Sequence, residues 1–213
     1  MKYILLFLPF FSCTKEPFEP VGDIKEIVLK EEPSSNRSFD NITYFANQHL
    51  TNHGYITYPM NVWTKTVVFT PSCRYECEDL LNQDDWNKLF GIRKFGLDQF
   101  KNGAYLVWCY VPYSIIQGDT IQDKIRIGWY LHDSNGDFDP MPLGQTIYVN
   151  IGEPVYLYLR NYNNTFVYNL NGQTININKA EHNIVNFSNG FRLSPNSGGD
   201  ETQDHNMIVS FTN

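Results

Sequence analysis

The chain has 213 residues, with 16 Lys plus Arg against 23 Asp plus Glu, a net charge of -7 and an aromatic fraction of 15%. That acidic balance, with no basic stripe, excludes nucleic acid as a partner, because phosphate backbones call for clustered cations. The length fits one β-rich domain carrying an N-terminal extension, and the aromatic content is ample for its core.

In chain order, Lys2, the apolar run from Tyr3 to Phe11 and the pair Ser12-Cys13 read as an export signal. The run is far shorter than the roughly 20 residues a helix needs to span a bilayer. Ser12-Cys13 followed by Thr14-Lys15-Glu16 resembles the lipobox of bacterial lipoproteins, in which the cysteine becomes the lipidated first residue. The resemblance implies acyl chains on Cys13, which hold a protein stably on a membrane when there are several. Thr14 after the cysteine implies the outer membrane, at its periplasmic or outward face. A plain secretory signal cut elsewhere is the other reading. Residues 1–12 are thus expected as signal peptide, 13–42 as a tether broken by Pro17, Pro20 and Pro33, and 43–213 as the folded domain.

The domain reads as strands. Tyr55 to Tyr58 and Thr64 to Thr70 come first, the second stopped by Pro71. The spacing of Trp86, Leu89 and Phe90, with Asn82 or Asp84 as a cap and Gly91 as a stop, predicts one short helix. Further strands are predicted over residues 104–111, 124–131, 145–151, 155–160, 165–170, 173–178, 184–187, 190–193 and 207–211. Asn171-Gly172 marks the clearest hairpin turn, since both residues tolerate positive φ. The expected fold is all-β: an antiparallel β-sandwich or jelly roll with one short helix and an extended tether.

Period-two alternation is sharpest between Lys124 and Arg160. Ile125, Ile127, Trp129 and Leu131, then Ile147, Val149 and Ile151, then Val155, Leu157 and Leu159, form one apolar face. The other carries Arg126, Tyr130, Tyr148, Tyr156, Tyr158 and Arg160, a set suited to carbohydrate. Aromatic rings stack on the apolar faces of sugars, while hydroxyls and guanidinium forks bind sugar hydroxyls and carboxylates. The sequence reading places these six residues on one open sheet, competing with an ordinary tyrosine-rich strand surface.

Asp133, Asn135, Asp137 and Asp139 space oxygen donors at every second residue, as calcium loops do, so calcium is a candidate cofactor. An Asn135-Gly136 turn would explain the same residues without a metal. Glu76, Glu78 and Asp79 lie beyond Pro71 in a loop rather than on a strand face, which disfavours a paired-carboxylate hydrolase. Cys73, Cys77 and Cys109 leave several pairings open, and Cys109 also fits a buried small hydrophobe.

The segment Phe191-Arg-Leu-Ser-Pro-Asn-Ser-Gly-Gly-Asp200 and the strand after it resemble the closing stretch of concanavalin-like jelly rolls, a group that holds polysaccharide lyases and lectins. Residues 84–91 and 101–104 also resemble small lipoproteins of polysaccharide-degrading Gram-negative bacteria. The resemblance implies a jelly-roll fold and a polysaccharide or other glycan as partner. Gln48-His49 stands off the strands, and no Gln-x-His lies on one, so binding is expected rather than lyase catalysis. The alternatives are a jelly-roll lyase and a structural subunit beside an outer-membrane barrel protein.

Overall fold

The computed structural model describes residues 41–52, 59–79, 82–94, 101–116, 119–140, 145–193, 195–198 and 202–212. The signal segment, Cys13, nearly all of the expected tether and the strand expected at Tyr55 to Tyr58 lie outside them. The chain divides into Met1–Arg37 and Ser38–Asn213. The first strand already starts at Asn41, inside the stretch expected as tether.

The described residues hold twelve strands in order: β1 Asn41–Tyr44, β2 Val62–Phe69, β3 Asn87–Lys94, β4 Gly103–Ile116, β5 Asp119–His132, β6 Phe138–Pro140, β7 Ile147–Asn150, β8 Pro154–Tyr162, β9 Thr165–Leu170, β10 Gln173–Asn178, β11 Gly190–Leu193 and β12 Met207–Thr212. They form two antiparallel sheets, so the molecule is the expected antiparallel β-sandwich. The first sheet runs β1-β12-β2-β8-β9-β10, and the second runs β11-β3-β4-β5, with both β6 and β7 paired to the far edge of β5.

Parity builds the core as the sequence implies. Ile125, Ile127, Trp129 and Leu131 of β5 face inward with Ala104, Leu106 and Trp108 of β4, against Val155, Leu157 and Leu159 of β8 and Phe166, Tyr168 and Leu170 of β9. Trp108 is fully buried, with Phe69 at 5.1 Å and Tyr44 edge-on at 5.5 Å between ring centres. Its indole nitrogen donates to the Tyr44 hydroxyl at 3.1 Å, and that hydroxyl donates to the Lys88 carbonyl at 3.0 Å. The polar ends of both rings are therefore satisfied at depth, as burial demands. The Asn171-Gly172 turn is present, with φ of 50° and 96°.

Two elements depart from expectation. Where the spacing of Trp86, Leu89 and Phe90 predicts a helix, the chain makes a turn and then β3, and the described residues hold only two 3-10 turns, Pro71–Cys73 and Lys179–His182. The cause is a bulge: pairing with β4 shifts between Lys88 and Phe90, so Leu89 and Phe90 both enter the core. Two consecutive inward residues plus Trp86 imitate a helix's i, i+3, i+4 spacing. Gly91, expected as a helix stop, instead lies under the Tyr105 ring, where a Cβ would come within 2.7 Å of Cδ1.

The second departure is Ile184 to Phe187, which is irregular rather than a strand. Its two ends are held by the buried Lys179, whose carbonyl accepts the Ile184 N–H and whose ammonium reaches the Phe187 carbonyl, while the Val185 N–H goes to Asn102 Oδ1. The Lys179 ammonium donates to Asn161 Oδ1, to the Asn163 carbonyl at 2.7 Å, to the Phe187 carbonyl at 3.3 Å and to Asn186 Oδ1 at 3.4 Å. It also sits 4.9 and 4.6 Å from the ring centres of Phe166 and Phe187. Burial lowers its pKa to about 8, while the oxygens and ring faces favour the charged form.

Candidate glycan groove

The outward face of the second sheet is set by register. Across the strands, Cys109 of β4 stands beside Arg126 of β5, which stands beside Tyr148 of β7. Further along, Tyr105 pairs with Tyr130, and Gly103 with His132. The six residues expected on one surface therefore divide: Arg126, Tyr130 and Tyr148 belong to this sheet, while Tyr156, Tyr158 and Arg160 lie on β8 of the first sheet. Outward faces of a sandwich point away from each other. Parity holds within each strand, but β8 crosses to the other layer.

Tyr130 is not open either. It packs with Tyr105, Val107 and Leu193 in a second small core, with Trp86 against it. Tyr105 and Tyr130 have ring centres 5.0 Å apart, His132 stands edge-on to Tyr130 at 5.3 Å, and Phe138 lies at 4.9 Å. The Lys88 ammonium is 5.7 Å from both tyrosine rings, and burial lowers its pKa to about 8.

The other end of the face forms a groove of about 280 Å³ lined by Gln83, Asp84, Tyr110 to Ser114, Arg126 and Tyr148. Arg126 and Tyr148, both expected from the sequence, meet here. Tyr113, outside the expected set, stands well exposed on one wall. The small Cys109 beside Arg126 leaves the guanidinium room to lie along the sheet, with its carbon 4.6 Å from the centre of the Trp86 ring. Nη2 donates to Asp84 Oδ1 at 3.0 Å. Burial works against this cation, and the neighbouring Cys109 and Asp84 acids raise its pKa in net.

Two contacts fix the loop that carries Asp84 and Trp86. The buried Gln83 amide donates to the Tyr75 and Tyr110 carbonyls at 3.2 and 3.0 Å and accepts from the Cys77 N–H at 2.9 Å. Gly198 presses on Trp86 from the C-terminal segment, where a Cβ would sit 1.9 Å from the Trp86 carbonyl oxygen. The Gly198 N–H also donates to Asn87 Oδ1 at 3.3 Å. At the far wall, Pro112 cannot donate to the ladder and Asp123 adopts φ of 50°. The Asp123 carboxylate accepts from Arg74 through both oxygens, at 2.8 and 2.9 Å, and from the Tyr110 hydroxyl at 3.1 Å.

The remaining candidates fall elsewhere. Asp133 Oδ1 accepts the N–H groups of Asn135, Gly136 and Asp137 at 2.7 to 2.9 Å, and Oδ2 accepts from the Asn183 amide at 2.8 Å. This carboxylate organises the turn the sequence offers as the alternative to calcium. Among the described residues, no group of three or more His, Cys, Asp or Glu is placed to hold a metal. Cys73, Cys77 and Cys109 are not disulfide-bonded to one another. Cys109 is fully buried, and the Cys73 thiol donates to the Ile208 carbonyl at 3.2 Å. His49 and Glu76 to Asp79 are surface residues apart from the half-buried Cys77.

No family model matches the chain, and no curated protein matches its sequence. Among solved structures it is similar to an alginate lyase from Klebsiella pneumoniae, at 10% identity and a TM-score of 0.48, covering 71% of this chain and 57% of that one. It is also similar to a polysaccharide lyase of family 18, at 10% identity and a TM-score of 0.48, covering 85% of this chain and 88% of that one. A Bacteroides ovatus mixed-linkage glucan GH16 protein in complex with a product aligns at 7% identity and a TM-score of 0.42, covering 80% of this chain and 77% of that one.

Proposed function

We propose that this protein binds a polysaccharide without cleaving it, in the groove between the Gln83–Asp84 turn and the β4–β5 hairpin. The observation that carries the reading is the lining itself. A half-buried guanidinium lying over an indole ring stands beside Tyr148, Tyr113, Tyr110, Ser114 and the carboxylate of Asp84. Rings offer platforms for the apolar faces of sugars, and the polar groups between them fix orientation by hydrogen bonding. Because the walls are strands and an anchored turn, little ordering entropy is lost on binding.

The test is retention of the full-length protein on a glycan array, followed by calorimetry with the best hit. Arg126→Ala combined with Tyr148→Ala is expected to abolish retention. Unchanged retention by that double variant would remove the groove from consideration. Release of unsaturated uronate from any bound glycan, seen as rising ultraviolet absorbance, would replace the binding reading by a lyase.

The lipid anchor and outer-membrane address belong to the same proposal, supported by Lys2, the apolar run and Ser12-Cys13. Cys13→Ala is expected to shift the protein from the membrane to the soluble fraction. Retention on the membrane by that variant would point to another means of attachment.

A further inference from the structure

With the groove as the glycan site, as proposed above, its own salt bridge bears on which glycans enter. The two partners are unequally placed: the Arg126 side chain is 19% exposed, and that of Asp84 is 75% exposed. Arg126 donates to oxygen from Nη2, reaching Asp84 Oδ1 at 3.0 Å and the Asp84 carbonyl at 3.5 Å, and the buried Cys109 side chain is its other hydrogen-bonding neighbour. A guanidinium carries five N–H donors in a planar fork that matches a carboxylate or sulfate through two parallel bonds. Here one arm of the fork meets an acid, and that acid stands largely in water. The guanidinium carbon lies 4.6 Å over the centre of the Trp86 ring, a contact that holds the cation in place while its partner changes.

We infer that the groove selects an anionic saccharide, whose carboxylate or sulfate takes the place of Asp84 on Arg126. Asp84 is then an internal competitor that holds the cation in register when the groove is empty and leaves when the ligand arrives. Gln83, pinned to the Tyr75 and Tyr110 carbonyls, keeps the loop in place, so only the Asp84 side chain has to move. With Asp84 largely in water, little desolvation holds it on Arg126, and such a pair is weak enough for an exchange. A neutral sugar would gain nothing from displacing Asp84 and would bind on the tyrosines alone.

The experiment measures affinity of the full-length protein for polygalacturonate, dextran sulfate and dextran, as carboxylate, sulfate and neutral probes. Asp84→Asn is expected to tighten the preferred acidic probe about threefold to fivefold and to leave dextran unchanged. Asp119→Asn, which removes an equal charge from the exposed hairpin, is expected to change the acidic probe by less than about 1.5-fold. Arg126→Lys is expected to weaken the acidic probe about tenfold, since a lysine keeps the charge but neither forks nor stacks. An equal gain from Asp84→Asn and Asp119→Asn would reduce the effect to overall charge and overturn the exchange. Loss or no change of acidic binding in Asp84→Asn would overturn it as well. Binding of dextran alone by the wild type would sink the anionic inference and leave the glycan reading standing, whereas failure of all three probes and of the array would sink both.

Discussion

The two outward faces of the sandwich have similar ingredients and different fates. On the first sheet, Tyr156 and Tyr162 of β8 stand about half exposed. Thr64 donates to the Tyr156 hydroxyl at 3.0 Å, and the Arg160 guanidinium carbon lies 4.6 Å from the Tyr162 ring centre. On the second sheet, Tyr105 and Tyr130 are almost entirely buried. What separates the two faces is the material laid over them. The bulged β3 brings Lys88 over both rings, and its preceding turn, held by Gln83 and Gly198, brings Trp86 against them. Alternation decides which side of a sheet a residue faces, and nothing in it says whether that side will be covered.

The sharpest way to break this comparison is to truncate one tyrosine on each face. Tyr130→Ala removes a ring packed on Tyr105, His132 and Phe138, and is expected to cost about 3 kcal/mol, lowering Tm by about 6 to 12 °C. Tyr156→Ala is expected to change stability by less than about 0.5 kcal/mol. Equal losses in calorimetric unfolding would mean that the second sheet's outward layer is no core.

Gly198→Ala comes next. A methyl group 1.9 Å from the Trp86 carbonyl oxygen forces the turn outward, at an expected cost of about 1 to 3 kcal/mol. Because Trp86 aligns Arg126, the variant is also expected to bind glycan several-fold more weakly even at temperatures where it is fully folded. Wild-type affinity in a destabilised Gly198→Ala protein would separate Trp86 from the groove.

Much of the architecture is legible from alternation. Ile125, Ile127, Trp129 and Leu131, with Val155, Leu157 and Leu159, point inward as expected, and the Asn171-Gly172 turn sits where its positive φ angles require. The errors lie where a single residue changes the count. Leu89, the extra residue of a bulge, makes β3 look helical and so conceals Lys88 as a member of a sheet face and Trp86 as part of the turn before it. Tyr105 stands beside Tyr130 through the register of β4 on β5, which residues 104–111, apolar or aromatic on both faces, do not reveal by alternation. Among the groove residues, Arg126 and Tyr148 can be found from sequence because adjacent strands of one sheet hold them. Joining them to Arg160 is the mistake, because β7 and β8, consecutive in sequence, belong to different layers. A strand's own pattern contains no record of which sheet it joins, since that is set by long-range pairing.

A pH measurement sharpens the covered side of the comparison. Burial holds Lys88 in the folded chain at about 8, below the ordinary lysine value of 10.5. Between those values the unfolded chain keeps a proton that the folded chain has released, so stability rises with pH through that window. Ionisation of tyrosines exposed on unfolding opposes this at higher pH, since burial raises the pKa of Tyr130 and Tyr168 in the folded state. From about pH 8 to about pH 9.5, the wild type is therefore expected to gain on the order of 1 kcal/mol relative to Lys88→Met. A flat difference across that range would show that Lys88 keeps its charge against the two rings.

The smallest effect is expected on the open side. Tyr156→Ala combined with Tyr158→Ala removes two rings that the sequence alone would make the ligand face. Both lie on β8, paired with β2 and β9 in the sheet opposite the one that holds Arg126 and Tyr148. If the groove is the binding site, the double variant should keep glycan affinity within about twofold, since truncation away from a binding surface costs little. A loss approaching that of Arg126→Ala with Tyr148→Ala would mean that a polysaccharide reaches both layers, as a chain wrapping the edge of the sandwich would. An intermediate loss confined to long polymers, and absent with short oligosaccharides, would assign the first sheet a second, weaker contact whose contribution comes from effective concentration.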